Sequence, residues 1–422
     1  MILSMMNASL INRSPQPEVP TAVRPAVARV VPLLLLLSRA HLTAEGEVRA
    51  KSLASALTPE DWQCLTRIAA TKRGLPFVHS HIAELGLLAK DDPLRVDMRK
   101  ATMAMAAGWL RFAAAQRAFL ETCLTPDDIN HLFFKGVVLG RYYAQPSRRI
   151  CRDIDVLIRA DDVQLVIDRA RAAGYRVVRD RFTGALAETE QDLRAVLRYK
   201  RDIPLLTPEG VYIELHTDIW HGAGFCANDA LINAAEDVEI AGTSYRVMPL
   251  PELFCYLAHH HTRHLWSSLN WVADIAALRE APAFDEAEVR RVAERIGLSE
   301  ILEATLAFDA LCRTGMLPQN IDPLVAARAQ ENYDLCELVL EGNAHVEHAV
   351  YFAHIAPETD WRTPPHMRET VTHRAWRSRL TPNIDQYNVV RLPLWLHWTY
   401  PIARAMRGGV DRLSAVLRRA FS

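Results

Sequence analysis

The chain has 422 residues, of which 50% are hydrophobic and 23% charged, and its formal net charge is −1. At roughly 150 residues per domain the length allows two or three domains, and the composition favours packed cores over disorder. The near-neutral balance gives no global argument for nucleic acid or an anionic membrane as partner.

Residues 1–24 are rich in Asn, Ser, Pro and Thr without periodicity and read as a loose arm. The longest apolar run, residues 30–37, is interrupted by Pro32. It falls far short of the ~20 residues a bilayer span needs. No small-residue cleavage site follows it, so it reads as the start of a buried helix rather than a leader or a transmembrane segment. Residues 25–125 form a helical lead-in. Thr58 is a candidate N-cap before Pro59, and apolar residues recur at spacings of three and four, notably through residues 93–123.

The texture changes at Pro126, and residues 126–250 alternate short β-like runs with helices. Residues 132–134 lead into Lys135-Gly136 and a helical stretch to Tyr143. Residues 153–158 read as a strand, 160–173 as a helix closed by Gly174, and 175–178, 210–216 and 244–248 as strands. From 251 to 422 the pattern is helical again, with a long helix expected over 252–278 and others over 285–296 and 300–312. The expected fold is therefore α+β or α/β: a small mixed sheet flanked by N- and C-terminal helical regions. The last segment, residues 361–422, carries eleven arginines against three acids, a net +8, interleaved with Trp361, Trp376, Tyr387, Trp395, Trp398 and Tyr400. It reads as a packed cap with snorkelling arginines, with an anionic membrane surface or an RNA grip as alternatives. Pro393 and Pro401 argue against one continuous amphipathic helix.

The most informative residues are Lys135-Gly136, Arg148-Arg149-Ile150-Cys151-Arg152, Asp153-Ile154-Asp155 and Ile213-Glu214-Leu215. Alternation along a strand puts Asp153 and Asp155 on one face, where two carboxylates repel and a divalent cation offsets the repulsion. Glu214 is a third acid framed by apolar residues, and a neighbouring strand would bring all three together. Three oxygen ligands suit Mg²⁺, and two such ions about 4 Å apart would serve an attacking hydroxyl and a leaving pyrophosphate. Gly136 would let the backbone approach a phosphate, with Lys135, Arg149 and Arg152 supplying charge. An Asp-x-Asp pair alone is common on strands; the ordered combination is what points to a site. In a chain with only six lysines, Lys135 also stands out.

This order of Lys-Gly, helix, arginine, Asp-Ile-Asp, helix, Gly-Tyr, strand and Ile-Glu-Leu-His resembles the uncharacterised nucleotidyltransferase family of bacterial genomes, within the DNA polymerase β-like nucleotidyltransferase superfamily. The resemblance covers about residues 50–310, from Trp62 and Pro76 through Gly174-Tyr175 to His260, His264 and Asp274. It implies that Asp153 and Asp155 bind both metal ions, Mg²⁺ or Mn²⁺, with Glu214 as third ligand and base. Lys135-Gly136 takes the place of the superfamily's Gly-Ser turn, but Val137 follows, so no serine hydroxyl is offered to the triphosphate. The implied reaction moves an NMP from an NTP to a hydroxyl or phosphate acceptor. A small molecule is the expected acceptor, with RNA or protein as others. The alternative is a catalytically inactive nucleotide-binding or antitoxin-like partner on the same fold.

Among the histidines, His216 shares a face with Glu214 and is expected to orient it or to meet the acceptor. His260 and His264, four apart, have zinc-ligand spacing, but no His-Glu-x-x-His glutamate or third ligand accompanies them. With Asp274 they are expected to line the pocket. The seven scattered cysteines include no Cys-x-x-Cys pair and are odd in number, which argues against a disulfide framework and for a reducing, cytoplasmic setting.

Overall fold

The computed structural model describes residues 24–220, 227–342, 344–354, 361–363, 368, 369, 372, 373, 377 and 380–404. Residues 1–23 of the expected N-terminal arm, Trp376 and the tail beyond 404 lie outside them. An eight-stranded mixed sheet forms the centre: β1 His131–Phe133, β2 Asp153–Ile158, β3 Arg176–Asp180, β4 Ala185–Leu186, β5 Asp202–Leu206, β6 Tyr212–His216, β7 Glu236–Ile240 and β8 Thr243–Val247. Their spatial order is β4-β3-β5-β6-β2-β1-β8-β7. β2 lies parallel to β6 and antiparallel to β1.

Alternation along β2 divides its side chains between two cores. Ile154, Val156 and Ile158 join Ile213 and Leu215 of β6 in a cluster closed by Phe119, Val166, Ile167 and Val196 from the covering helices. Leu157, Leu132 and Phe134 face the other way. There they meet a larger cluster built jointly by the lead-in helices and the C-terminal helices, including Leu33–Leu37, Ile68, Phe254, Trp266 and Phe308. The first and last thirds of the chain thus share one core over the sheet face that also carries the acids.

Thr58 caps helix Pro59–Thr71 as expected and forms a capping box. Its hydroxyl accepts from the Asp61 amide at 3.2 Å, and Asp61 accepts from the Thr58 amide at 3.1 Å. The stretch after Lys135 is a 3₁₀ helix, Gly136–Tyr142, rather than an α-helix. The helix expected over 252–278 is two helices, Leu250–Arg263 and Leu269–Arg279. Between them Leu265 and Trp266 adopt left-handed φ values of 61° and 52°. Burial drives this break: the Trp266 ring packs 4.5 Å from that of Phe308, and Cys336 donates to the Trp266 carbonyl.

Three strands escaped the sequence reading, each for a physical reason. β5 contains Pro204 although it lies between β3 and β6, where proline is uncommon. β4 has two residues, and β7 is an acidic edge strand whose side chains are largely exposed.

Trp361 and Arg362 of the tail pair with Glu331, whereas residues 387–397 pack on helix Glu190–Tyr199. The Tyr387 hydroxyl donates to Asp192 at 2.8 Å, Tyr199 Oη lies 2.6 Å from His397 Nδ1, and Gln191 donates to the Leu392 carbonyl at 3.0 Å. Trp395 and Trp398 remain exposed. Among the described residues no helix is long and apolar enough to cross a membrane. Cysteines 64, 123, 151, 255, 312 and 336 are free and buried, and Cys226 lies outside the described residues.

Candidate active site

The β2–β6 register sets Asp153 opposite Tyr212, Asp155 opposite Glu214 and Leu157 opposite His216. Parallel pairing with this register puts Asp155 and Glu214 side by side on one face, and His216 follows two residues along. Ligand atoms of Asp155, Glu214 and His216 all lie within 4.8 Å of one another. The sequence expectation that Glu214 would join the Asp-x-Asp strand depends on this adjacency, and the sheet supplies it.

Three cationic or hydrogen-bonding groups answer the acids. Lys135 Nζ lies 2.9 Å from Asp155 Oδ1. His216 Nε2 lies 3.1 Å from the same oxygen and 3.5 Å from Glu214 Oε2. Arg181, just past β3, pairs with Glu214, reaches Asp153 Oδ2 at 3.4 Å and lies over the Tyr212 ring at 4.9 Å. Burial works against the charge of Asp155, but Lys135 and His216 overcome it and hold the carboxyl well below its usual range. Burial likewise opposes the ammonium of Lys135, and Asp155 with its neighbours raises it above the usual lysine range. Both groups stay charged across the physiological range.

The loop carrying Lys135 is held by a second ion pair. Arg149 donates through Nε and Nη2 to the two oxygens of Asp274 at 2.7 and 2.9 Å, and through Nη1 to the Gly136 carbonyl at 3.0 Å. Tyr143 adds its hydroxyl to Asp274, and Asn270 donates to the Ile150 carbonyl at 2.7 Å. Gly136 has φ +65°, and a Cβ there would stand 3.0 Å from the Asp153 carbonyl. Glycine is therefore required where the loop crosses the start of β2.

Behind Lys135 an aromatic wall extends outward. Phe134 meets His216 at 5.2 Å and Tyr256 at 5.3 Å between ring centroids, and Tyr256 meets His260 at 5.7 Å. His260 and His264 are 4.6 Å apart, and His261 stacks on Trp271 at 5.0 Å with planes 9° apart. Burial, then Lys135, pushes His260 well below the usual histidine range, and burial, then Arg149, does the same to His261. Over the Trp271 ring, at 5.7 Å, lies the guanidinium of Arg73.

A match to the uncharacterised nucleotidyltransferase family runs over residues 58–312. That is more than half of the chain, and it contains every residue of the cluster. The chain belongs to the uncharacterised nucleotidyltransferase family. Membership places it among enzymes of nucleotidyl transfer. No curated protein matches the chain at a significant level.

Within this nucleotidyltransferase the expected residues separate into two groups. Lys135, Gly136, Asp153, Asp155, Glu214 and His216 come together. Arg149 and Asp274 are turned into a buried clamp: the guanidinium expected to hold phosphate is taken up by Asp274 and the Gly136 carbonyl. Arg152 is exposed, His260 partly buried and His264 exposed. No zinc-type grouping of His260 and His264 with a third ligand occurs among the described residues.

Two residues were missed. Arg181 has no motif around it; only the β3–β5–β6 packing brings it to Glu214. Arg73 lies in the helical lead-in, far from the acids in sequence, with nothing to distinguish it from other arginines.

The donor set fits a divalent cation. Two carboxylates side by side supply hard oxygen ligands, and His216 offers Nε2 between them while its Nδ1 is buried without a hydrogen-bond partner among the described residues. Asp153 is outside this set and lies 3.4 Å from Arg181.

Proposed function

We propose that this nucleotidyltransferase moves a nucleoside monophosphate from an NTP to an acceptor hydroxyl or phosphate, with release of pyrophosphate. The observation that carries this reading is the in-register Asp155–Glu214 pair with His216, donor atoms within 4.8 Å, beside the buried apolar Leu132, Phe134 and Leu157. Like charges are not crowded together in a packed core without something to offset them.

In the proposed reaction an acceptor oxygen forms a bond to the α-phosphorus, and the bond from that phosphorus to the β-phosphate oxygen breaks. Glu214, less buried than Asp155, accepts the proton of an acceptor hydroxyl, and His216 orients it at 3.5 Å. Asp155, Glu214 and His216 would hold one divalent ion, Mg²⁺ or Mn²⁺, and Asp153 would take part in holding a second. Such ions supply charge neutralisation for the triphosphate and the leaving pyrophosphate. Lys135 keeps Asp155 ionised and adds positive charge beside the acids, where Gly136 lets its loop cross the start of β2. The expected acceptor is a small molecule.

A second reading, a nucleotide-binding or antitoxin-like partner without transfer activity, draws on one feature. Lys135 and Arg181 already neutralise the carboxylates.

Calorimetry with Mg²⁺ and each of the four ribonucleoside triphosphates separates the readings, alongside a transfer assay with NTP labelled at the α-phosphate. Transfer of the label and metal-dependent binding, both lost in Asp155→Asn, support the enzyme. Metal-independent binding with no label transfer favours the partner protein. No binding by the wild type removes the nucleotide from the account.

A further inference from the structure

Most arginines near the sheet are matched: Arg149 by Asp274, Arg181 by Glu214 and Asp153, Arg201 by Asp218, Arg169 by Asp127. Arg73 is an exception. It is half-buried, yet its only close side-chain partner among the described residues is the face of Trp271. Burial and then the charge of Arg152 push its pKa down to about 10, while Asp153 pulls the other way. Asn270, between Leu269 and Trp271, donates to the carbonyl of Ile150 just before the Asp153 strand, so Arg73 stands at the edge of the site without a carboxylate of its own. Leaving a guanidinium partly desolvated and unpaired costs free energy, so such a group is informative.

Its placement is also enforced. Arg73 adopts φ 63°, a left-handed conformation unfavourable for a side chain with a Cβ. The turn is pinned on both sides. The Leu269 amide donates to the Lys72 carbonyl at 2.8 Å, and Gly74 packs so tightly that a Cβ there would lie 2.5 Å from Leu269 Cδ1. Trp271, beneath the guanidinium, is itself fixed by the stacked His261. Arg152, exposed and with no ion pair among the described residues, adds a second unmatched cation next to Asp153 in the chain. Around the acids, Lys135, Arg181, Arg73 and Arg152 oppose Asp153, Asp155 and Glu214. An excess of positive charge beside a cation-binding set is a site that lacks its anion.

We propose that Arg73, held over Trp271 by the turn at Lys72–Gly74 and assisted by Arg152, is a phosphate-binding residue that grips the β- and γ-phosphates of the nucleotide. It stands in for the serine hydroxyl that the Lys135-Gly136-Val137 turn does not offer. The helical lead-in then belongs to the substrate site rather than to a separate support, in keeping with the start of the family match at residue 58. This inference rests on the nucleotidyl-transfer reading.

The test compares wild type, Arg73→Asn, Arg73→Lys and Arg73→Asn/Arg152→Gln by calorimetry with Mg²⁺. The titrants are inorganic pyrophosphate, the tightest-binding NTP and its nucleoside. Asparagine tolerates the left-handed backbone, so loss of fold is not expected, and a thermal melt checks it. Arg73→Asn is expected to weaken NTP and pyrophosphate binding by about 10- to 100-fold, the range for a lost charge-assisted contact. Nucleoside binding should stay within twofold, Arg73→Lys should recover part of the loss, and the double variant should weaken binding further. If wild type binds NTP and Arg73→Asn binds NTP and pyrophosphate equally well, the role of Arg73 is overturned and the transfer reading stands. If wild type binds neither NTP nor pyrophosphate, the transfer reading falls and this one with it.

Discussion

Asp155 and Asp274 are each 1% exposed and each paired with a cation, yet they are built to different ends. Asp274 receives both forks of Arg149 and the Tyr143 hydroxyl, so its oxygens are satisfied by donors of matching geometry. Asp155 has a lysine, a histidine nitrogen and, directly in register, another carboxylate. The first cluster is closed by one matched pair, whereas in the second two adjacent carboxylates are answered by separate cations, with Arg73 and Arg152 left unmatched nearby. Charge complementarity that is complete marks a fastening, and complementarity that is incomplete marks a site.

The largest effect should come from opening the closed cluster. Arg149→Met leaves Asp274 buried and unpaired and should cost about 3–5 kcal/mol in urea unfolding. Arg149→Met/Asp274→Leu should recover most of that, because the pair's worth lies mainly in mutual need. A double variant no more stable than the single one would show that the clamp is not a simple pair.

At the open cluster the outcome should reverse. Glu214→Gln removes a like charge beside Asp155 along with its pairing to a part-exposed Arg181. Stability should change by no more than about 1 kcal/mol, while metal-dependent NTP binding is lost. Equal losses of stability and binding would erase the distinction between the two clusters.

The pH dependence sharpens the same contrast. His261 is buried, faces Arg149, Lys135, His264 and Arg73, and has a depressed pKa. Below the unfolded pKa of about 6.5, the unfolded chain takes up a proton that the native state refuses. Stability should therefore be intact above that pH and fall as the solution is acidified, by up to about 1.4 kcal/mol per pH unit for this residue. His261→Phe should flatten the acid limb in urea titrations between pH 7 and 5. Asp155 and Lys135, with folded-state values below and above their usual ranges, should contribute almost no slope in that window.

The smallest effect belongs to neither cluster. Tyr387→Phe deletes one hydroxyl bond from the tail to Asp192 and should cost about 1 kcal/mol. It sets the scale for an ordinary contact.

The acids of this site were legible because strand alternation is local: Asp153, Asp155 and Glu214 announce themselves by their apolar neighbours. Their convergence was expected from the family resemblance but could not be read from the residues alone, since it depends on β6 choosing β2 as its parallel partner. The partner of Arg149 was not legible, because sequence shows charge but not what meets it, and Asp274 lies more than a hundred residues on. The long helix expected over 252–278 broke because two apolar residues, Leu265 and Trp266, gain more from burial than from helical continuity. Arg181 and Arg73 could be found only in three dimensions. The strands that were missed, β4, β5 and β7, are the shortest, the one interrupted by proline and the one at an acidic edge.

The helix Pro25–Leu37 is almost wholly apolar on its buried side, and its covering includes helices Ser299–Thr314 and Pro323–Leu340. Arg39, at its end, pairs with Asp309. The ribosome therefore releases this greasy segment long before the last of the surfaces that will hide it exist. The sheet with its acids is synthesised in between, and the clamp on its Lys135 loop waits for residue 274. Final burial of the earliest helix comes after both. Vectorial synthesis thus lets helices Ala44–Ser55, Pro59–Thr71 and Leu75–Leu85 cover part of the leucine run early, and its remaining face stays open until residues 299–340 have been made.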